Sequence, residues 1–225
     1  MAWEIETTDE YAVWFLEQAE NEQEAVRMKV ELLTEYGPQL SRPHADTLKG
    51  SKLSNLKELR AQTENHVLRV AFIFDEERKA VLLIGGDKKG KDEKRFYKNL
   101  IKDAEKIYRQ YRDDRWEEKM AETKVLRKTH PISELDAQMN PAVLAKAKKM
   151  AERESLNIRL CILREKYGVK QSEITNFTQT AVSKLENRKD IRISTLIDYL
   201  DSLGMGLEIT AYPRDSSKKE LLLRV

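Results

Sequence analysis

One cysteine, five prolines and eight glycines among 225 residues leave burial and charge to hold this chain together. Cys161 alone cannot form an internal disulfide, and no Cys/His cluster has zinc-ligand spacing, so neither a structural metal nor a cofactor is expected. No apolar run approaches the roughly 18–20 residues that cross a bilayer. The opening MAWEIETTDEY has neither the basic nor the apolar region of a secretory signal. A cytoplasmic protein with no membrane contact is the expectation. There is no Ser-His-Asp set, no Gly-rich phosphate loop and no paired carboxylates, which removes the commonest alternative enzyme chemistries.

What is present is charge, unevenly spread. Residues 1–37 hold ten acids and two bases, residues 38–112 hold 18 bases and 11 acids, and residues 120–225 hold 19 bases and 14 acids. The overall +2 therefore hides an acidic start and two basic stretches. Separated basic stretches suit two surfaces that face polyanions, with solvated surface charge as the plain alternative.

Periodicity organises the first half. A short strand over Trp3 to Thr7 leads to a helix capped by Asp9, with Tyr11, Trp14 and Phe15 on one face. A second helix runs from about Asn21 to Tyr36 and stops at Gly37-Pro38. After the basic loop SRPHADTLKGSKLSN come three strands: Leu56–Gln62, His66–Asp75 and the continuously apolar Ala80–Gly86, the last reading as a central strand covered on both faces. In the first two, Leu59 and Ala61 face away from Glu58 and Arg60, and Arg69 lies opposite Leu68 and Val70. A helix from about Asp92 to Arg112 follows. The order β-α-α-β-β-β-α predicts an α+β domain with helices on one side of an antiparallel sheet.

The charged RDDRWEEK reads as a linker, and Met120-Ala-Glu-Thr as the start of a second reading frame joined to the first. Residues 123–139 have weak periodicity. Helices are then expected from Pro141 to about Glu154, from Leu156 to Tyr167, as two short pieces between Gln171 and Asn187, and after a cap at Ser194. The tail predicts a hairpin, Leu207–Tyr212 with Glu220–Val225.

Three blocks in this second half, LREKYGVKQSE, QTAVSKLENRKD and ISTLIDYLDSLG, resemble the helix-turn-helix of the XRE (Cro/repressor-like) family. The resemblance implies operator DNA as a partner, with a recognition helix entering the major groove. Gln179, Thr180, Ser183 and Lys184 would occupy its exposed face, Gln171 would reach a phosphate, and Asn187 and Arg188 would add backbone contacts. Only seven residues separate Gln171 from Gln179, about three fewer than the family usually places there.

In the first half RPHADTLKGSKLSNLKELR, RVAFIFD, LLIGGDKKGKD and the final helix resemble the RelE/ParE toxin superfamily, in its HigB-like, phage-related branch. The family implies a ribosome-dependent endoribonuclease that cuts messenger RNA without metal. Toxin before antitoxin is also the HigBA operon order. Such cleavage needs cations around the phosphate and a group that exchanges a proton. Arg60 and Arg69 on neighbouring strands are the phosphate clamps, flanked by Lys88 and Lys89. His44 is the acid or base and Tyr97 stacks or orients, while Lys49, Lys52, Lys57 and Lys91 form the basic approach to RNA. For Arg60 the plain alternative is an ion pair with Glu58 or Glu64.

The sequence thus predicts a toxin domain at 1–112, a linker and antitoxin N-terminal segment at 113–139, and a helix-turn-helix antitoxin domain with a C-terminal β-hairpin at 140–225. The second half would neutralise the first, aided by residues 123–155 packing on the acidic helices. It would also pair with a second copy to form a homodimer and repress its own operon. A gyrase-poisoning toxin, or a regulator with a catalytically silent toxin fold, remains open.

Overall fold

The computed structural model describes residues 2–121, 129–186, 191–213 and 219–225, with backbone alone for 116–121. The architecture is mixed α and β, with seven α-helices among the described residues. Two compact units divide between Glu152 and Arg153.

The N-terminal unit is built on a six-stranded sheet. Its strands are β1 (Glu4–Thr8), β2 (Ala45–Thr47), β3 (Leu56–Gln62), β4 (Val67–Phe74), β5 (Lys79–Asp87) and β6 (Thr129–Pro131), ordered β2-β3-β4-β5-β1-β6. The three long strands pair antiparallel, as their short turns require. The sheet is nevertheless mixed, because β1 runs parallel to β5. A first strand that reaches β5 only after two helices and three more strands is free to lie in either sense, and its own pattern does not select one. Ala80–Leu83 are fully buried at the centre, as the unbroken apolar run predicts.

Helices cover both faces, not one. The helix α3 (Glu93–Ala121) packs through Phe96, Leu100, Ala104, Ile107, Tyr108 and Tyr111 onto Leu56, Ala71, Ile73 and Val81. The alternate residues Leu59, Leu68, Val70 and Leu82 point to the other face and are equally buried there, on the side taken by α1 (Asp9–Leu16) and α2 (Glu20–Tyr36). Hydrophobic pattern shows that each strand buries two faces but not which helix covers which. The cap of α1 is Thr8 rather than Asp9: its hydroxyl accepts from the Tyr11 amide at 3.2 Å and donates to the Leu83 carbonyl at 2.7 Å. Gly37 ends α2 at φ +51°, where a Cβ would fall 2.1 Å from the Trp3 indole.

The expected linker at 113–119 is helical. Nothing between Glu93 and Ala121 is Gly or Pro, so α3 continues through it. Arg115 binds Glu77, and the Tyr111 hydroxyl donates to Asp75 at 2.8 Å. Met120, read as the start of a second frame, lies in the last turn of α3, and residues 122–128 fall outside the described residues. Beyond them β6 extends the sheet along the free edge of β1, pairing Thr7 with His130 and Thr8 with Thr129. The short α4 (Ile132–Asp136) then places Asp136 against buried Arg27 of α2 at 2.6 and 2.8 Å. Asn140 donates to Glu20 at 2.8 Å and Lys146 pairs with Glu24 at 2.7 Å. Residues 129–147 therefore dock on the acidic helix.

The helix α5 (Pro141–Lys166) is a single element where two were expected, because Ser155, buried within it, is no helix breaker. The division between the units falls inside this helix. In the C-terminal unit Leu160, Ile174, Val182, Leu185, Tyr199 and Leu200 form a small core with Phe177 packed against it. Its other elements are α6 (Gln179–Leu185), α7 (Ile193–Asp201) and the hairpin of β7 (Glu208–Ala211) and β8 (Glu220–Arg224). The Arg192 backbone, not a Ser194 side chain, begins α7. The first of the two short pieces expected after Gln171 is only a 3-10 turn, Gln171–Glu173. Two short helices do not fit in a segment that must also place Ile174 in the core.

Candidate functional site

Strand register brings the two candidate arginines together: Arg60 of β3 pairs directly with Arg69 of β4. Residues opposite each other across antiparallel strands have Cβ atoms about 5 Å apart, so two guanidinium groups are forced to share one patch. The carboxylate of Glu58, two residues earlier on the same face, mediates between them. It lies 3.6 Å from Arg60 Nε and 3.5 Å from Arg69 Nε. Arg69 and Glu58 are buried, whereas the Arg60 side chain keeps 31% of its surface in solvent. Arg69 also donates to the Leu68 carbonyl at 2.9 Å, but its Nε and the Glu58 Oε2 make no hydrogen bond.

The first turn of α3 closes the patch. The Tyr97 hydroxyl donates to Glu58 Oε1 at 3.4 Å, and Lys88, 2.5 Å from Glu93, lies over the Tyr97 ring at 5.2 Å. On the short strand β2, Asp46 sits opposite Glu58 in register and is held by Arg42. Burial raises the pKa of Glu58 above the ordinary carboxylate range, although Arg69, the Tyr97 hydroxyl and Arg60 all pull it down. Burial opposes ionisation of Asp46 too, but Arg42 and the Thr47 amide outweigh it and hold that carboxyl below its usual value. The result is a partly open cluster in which Arg42, Arg60, Arg69 and Lys88 interleave with Asp46, Glu58 and Glu93. Its exposed cations have the charge that a phosphate calls for, and Glu58 lies against both arginines.

Not every expected residue gathers here. His44 is buried and faces α2, its Nδ1 2.8 Å from Lys29 Nζ; burial, then Lys29, push its pKa down to about 3, so it is neutral at pH 7. Lys57 lies on the opposite face of β3, over the Phe74 ring at 5.9 Å, where burial lowers its pKa. The exposed Lys89 reaches the Glu64 carbonyl at 3.4 Å. Lys49 is exposed, and Lys52 lies where the Ser51 hydroxyl and the Lys52 amide both donate to Glu105 of α3 at 2.7 Å. Lys91 lines a cavity of about 480 Å³ between the end of β5 and α3, with Gly86, Arg95, Asn99 and Asp103. Gly86, which lines that cavity, is the register partner of Arg69.

The sequence reading named Glu58 only as an ion-pair partner and missed Asp46, Arg42 and Glu93. A carboxylate two residues from Arg60, on a face that also carries Leu56, was the available signal. Asp46 and Arg42 depend on β2, three residues long, which leaves no periodic trace.

In the C-terminal unit Gln179, Thr180 and Lys184 are exposed on α6, whose cap Thr178 accepts from the Ala181 amide at 3.2 Å, and Ser183 is half-buried. Gln171 is not free to reach a phosphate, because its amide donates to buried Glu186 at 2.7 Å. Asn187 and Arg188 lie outside the described residues.

The profile of the family described as "Phage derived protein Gp49-like" matches residues 13–109. Two curated Mycobacterium tuberculosis proteins are similar to the chain. "Putative toxin HigB3" is 40% identical over 88 residues, covering 39% of this chain and 75% of that protein. "Putative toxin HigB2" is 36% identical over 89 residues, covering 39% of this chain and 44% of that protein. The chain belongs to the Gp49-like family. No solved structure matches it. Every member of the arginine cluster falls within the family match, whereas β1, the docked segment 129–147 and the C-terminal unit lie outside it.

Proposed function

We propose that the N-terminal unit is a HigB-type toxin that cleaves messenger RNA on the ribosome with its own side chains. The observation that carries this is the register pairing of Arg60 with Arg69 over one buried carboxylate, in the part of the chain the family shares. Fixed guanidinium groups stabilise charge that develops on a phosphate without reorganising at the moment of reaction. Arg60, with its solvent-facing side, and Lys88 contact the scissile phosphate. Arg69 supplies field from beneath, and Glu58 is the positioning residue for both arginines. The Tyr97 hydroxyl takes the proton of the ribose 2′-OH as it passes its own to Glu58, whose proton affinity burial has raised. The 2′-oxygen then bonds to phosphorus, the P–O5′ bond breaks, and the leaving 5′-oxygen takes a proton from Lys88. His44 and Lys57 have no part in this reading, because they face elsewhere.

The C-terminal unit is the fused antitoxin in this proposal. The docking of residues 129–147 on α2 and on the β1 edge supports it, as does the exposed face of α6, from which Gln179 and Thr180 would read an operator. The exposed Tyr212, Leu221 and Leu222 of the hairpin are the surface for a second copy. The docked segment lies at the sheet edge away from β3 and leaves Arg60 uncovered by itself.

Cell-free translation with the full chain, and separately with residues 1–121, tests the toxin reading when messenger 5′ ends are mapped. Cuts at discrete codons that need ribosomes and vanish in Arg60→Gln are expected. Intact messenger from both folded proteins would sink the reading, and DNA breaks in its place would mark a gyrase poison.

A further inference from the structure

The outer face of α3 carries a feature that the arginine cluster does not use. Lys94, Lys98, Lys102 and Lys106 recur every fourth residue, and Arg95 and Arg109 lie beside them; all six are exposed. At 100° per residue they occupy about a third of the helix circumference and a length of about 22 Å. No hydrogen bond or ion pair joins any of these six side chains to another described residue. The carboxylate of Glu105, on the same side, is already taken by Ser51 and the Lys52 amide. Like charges at i,i+4 destabilise a helix, and Glu105, which faces Arg109 as well as Lys52, offsets only part of that repulsion within the stripe.

We propose that this stripe binds the phosphate backbone of double-helical RNA and so holds a structured RNA alongside the arginine cluster. The choice of RNA rests on the reading of that cluster as a ribonuclease site. Duplex rather than single strand follows from the aromatics: Phe96, Tyr97, Tyr108 and Tyr111 all point to the sheet, and this face offers no ring on which a free base could stack. A lipid surface is disfavoured for the same reason, because the stripe carries no large apolar side chain to insert. A straight, rigid row of cations matches a ligand whose phosphates are themselves held on a rigid helix.

The test uses the purified full chain and a labelled 20-base-pair RNA hairpin, with affinity measured across a salt series. The quadruple variant Lys94→Gln, Lys98→Gln, Lys102→Gln, Lys106→Gln keeps helix propensity nearly constant, so its circular dichroism should match the parent. Its affinity at 0.15 M salt should fall roughly 10²–10³-fold, and its log–log salt slope should become shallower by about 3. Lys148→Gln with Lys149→Gln, two exposed lysines of α5, should leave both values unchanged. Unchanged affinity and slope in the quadruple variant would overturn the proposal, as would preferential binding of the parent to duplex DNA or to phosphatidylglycerol vesicles. Hairpin affinity is read without ribosomes and without any cleavage, so it does not depend on whether the arginine cluster cuts messenger RNA. Loss of the ribonuclease reading with hairpin binding intact would therefore leave the stripe standing.

Discussion

Buried arginine–carboxylate contacts occur in both units, and they are built differently. In the C-terminal unit Arg164 donates to Glu186 at 2.6 and 3.2 Å, and Gln171 and the Tyr199 hydroxyl complete the shell at 2.7 and 2.9 Å. In the N-terminal unit Glu58 meets Arg60 and Arg69 only at 3.5–3.6 Å, with one of its oxygens and the Arg69 Nε left without a hydrogen bond. The Arg27–Asp136 pair, at 2.6 and 2.8 Å, belongs to the tight kind. A buried charge pair with unsatisfied polar atoms binds its elements less firmly than a fully satisfied one, so the loose pair is the weaker structural contact. Arg164–Glu186 and Arg27–Asp136 hold elements together, while Arg60 and Arg69 are the pair that the ribonuclease proposal assigns to an anion.

That comparison breaks most visibly in stability. Glu186→Ala leaves Arg164 buried without its partner and should cost about 3–5 kcal/mol, read by hydrogen exchange of α6 and α7. Arg164, Gln171 and the Tyr199 hydroxyl outweigh burial and hold the Glu186 pKa below its usual value. Its stabilisation is therefore full above the unfolded value of about 4.3 and is lost as pH falls from there through the folded value. Asp136→Ala should free residues 129–147 from α2 at a somewhat smaller cost, since Glu31 still pairs with Arg27 at 2.8 Å; exchange of the β6 amides is the measure. A stable Asp136→Ala with β6 still protected would make that pair incidental.

The loose pair should show the reverse pattern. Arg60→Gln is expected to lower messenger cleavage about 10²–10³-fold with thermal stability unchanged. Because burial raises the pKa of Glu58, the acid limb of cleavage should lie above the ordinary carboxylate range, with activity falling as pH drops through it. Glu58→Gln should remove most activity and that limb together; a limb that survives would assign it to another group. The smallest effect is expected from His44→Asn, which should change stability but not the pH profile of cleavage.

Much of the sheet was legible, because alternation along β3 and β4 and the unbroken apolar run of β5 follow from which side chains must leave water. The same alternation set Arg60 and Arg69 each on the side of its strand opposite the leucines, and the strand register then joined them. The parallel sense of β1, the three-residue β2 and the edge strand β6 were not legible, since each is set by what the rest of the sheet leaves unpaired. The charged stretch after Arg112 was misread because solvated charge suits a helix surface as well as a linker.

By itself, then, the sequence determined the local order of strands and helices, the side of its own strand on which each arginine lies and the family of residues 13–109. Only the tertiary structure decided that Glu58 lies between the arginines, that His44 and Lys57 face away, and that Asp136 reaches Arg27 across 109 positions. The reason is physical: periodicity records which side of an element is buried, whereas the distance between two charges depends on how separate elements pack.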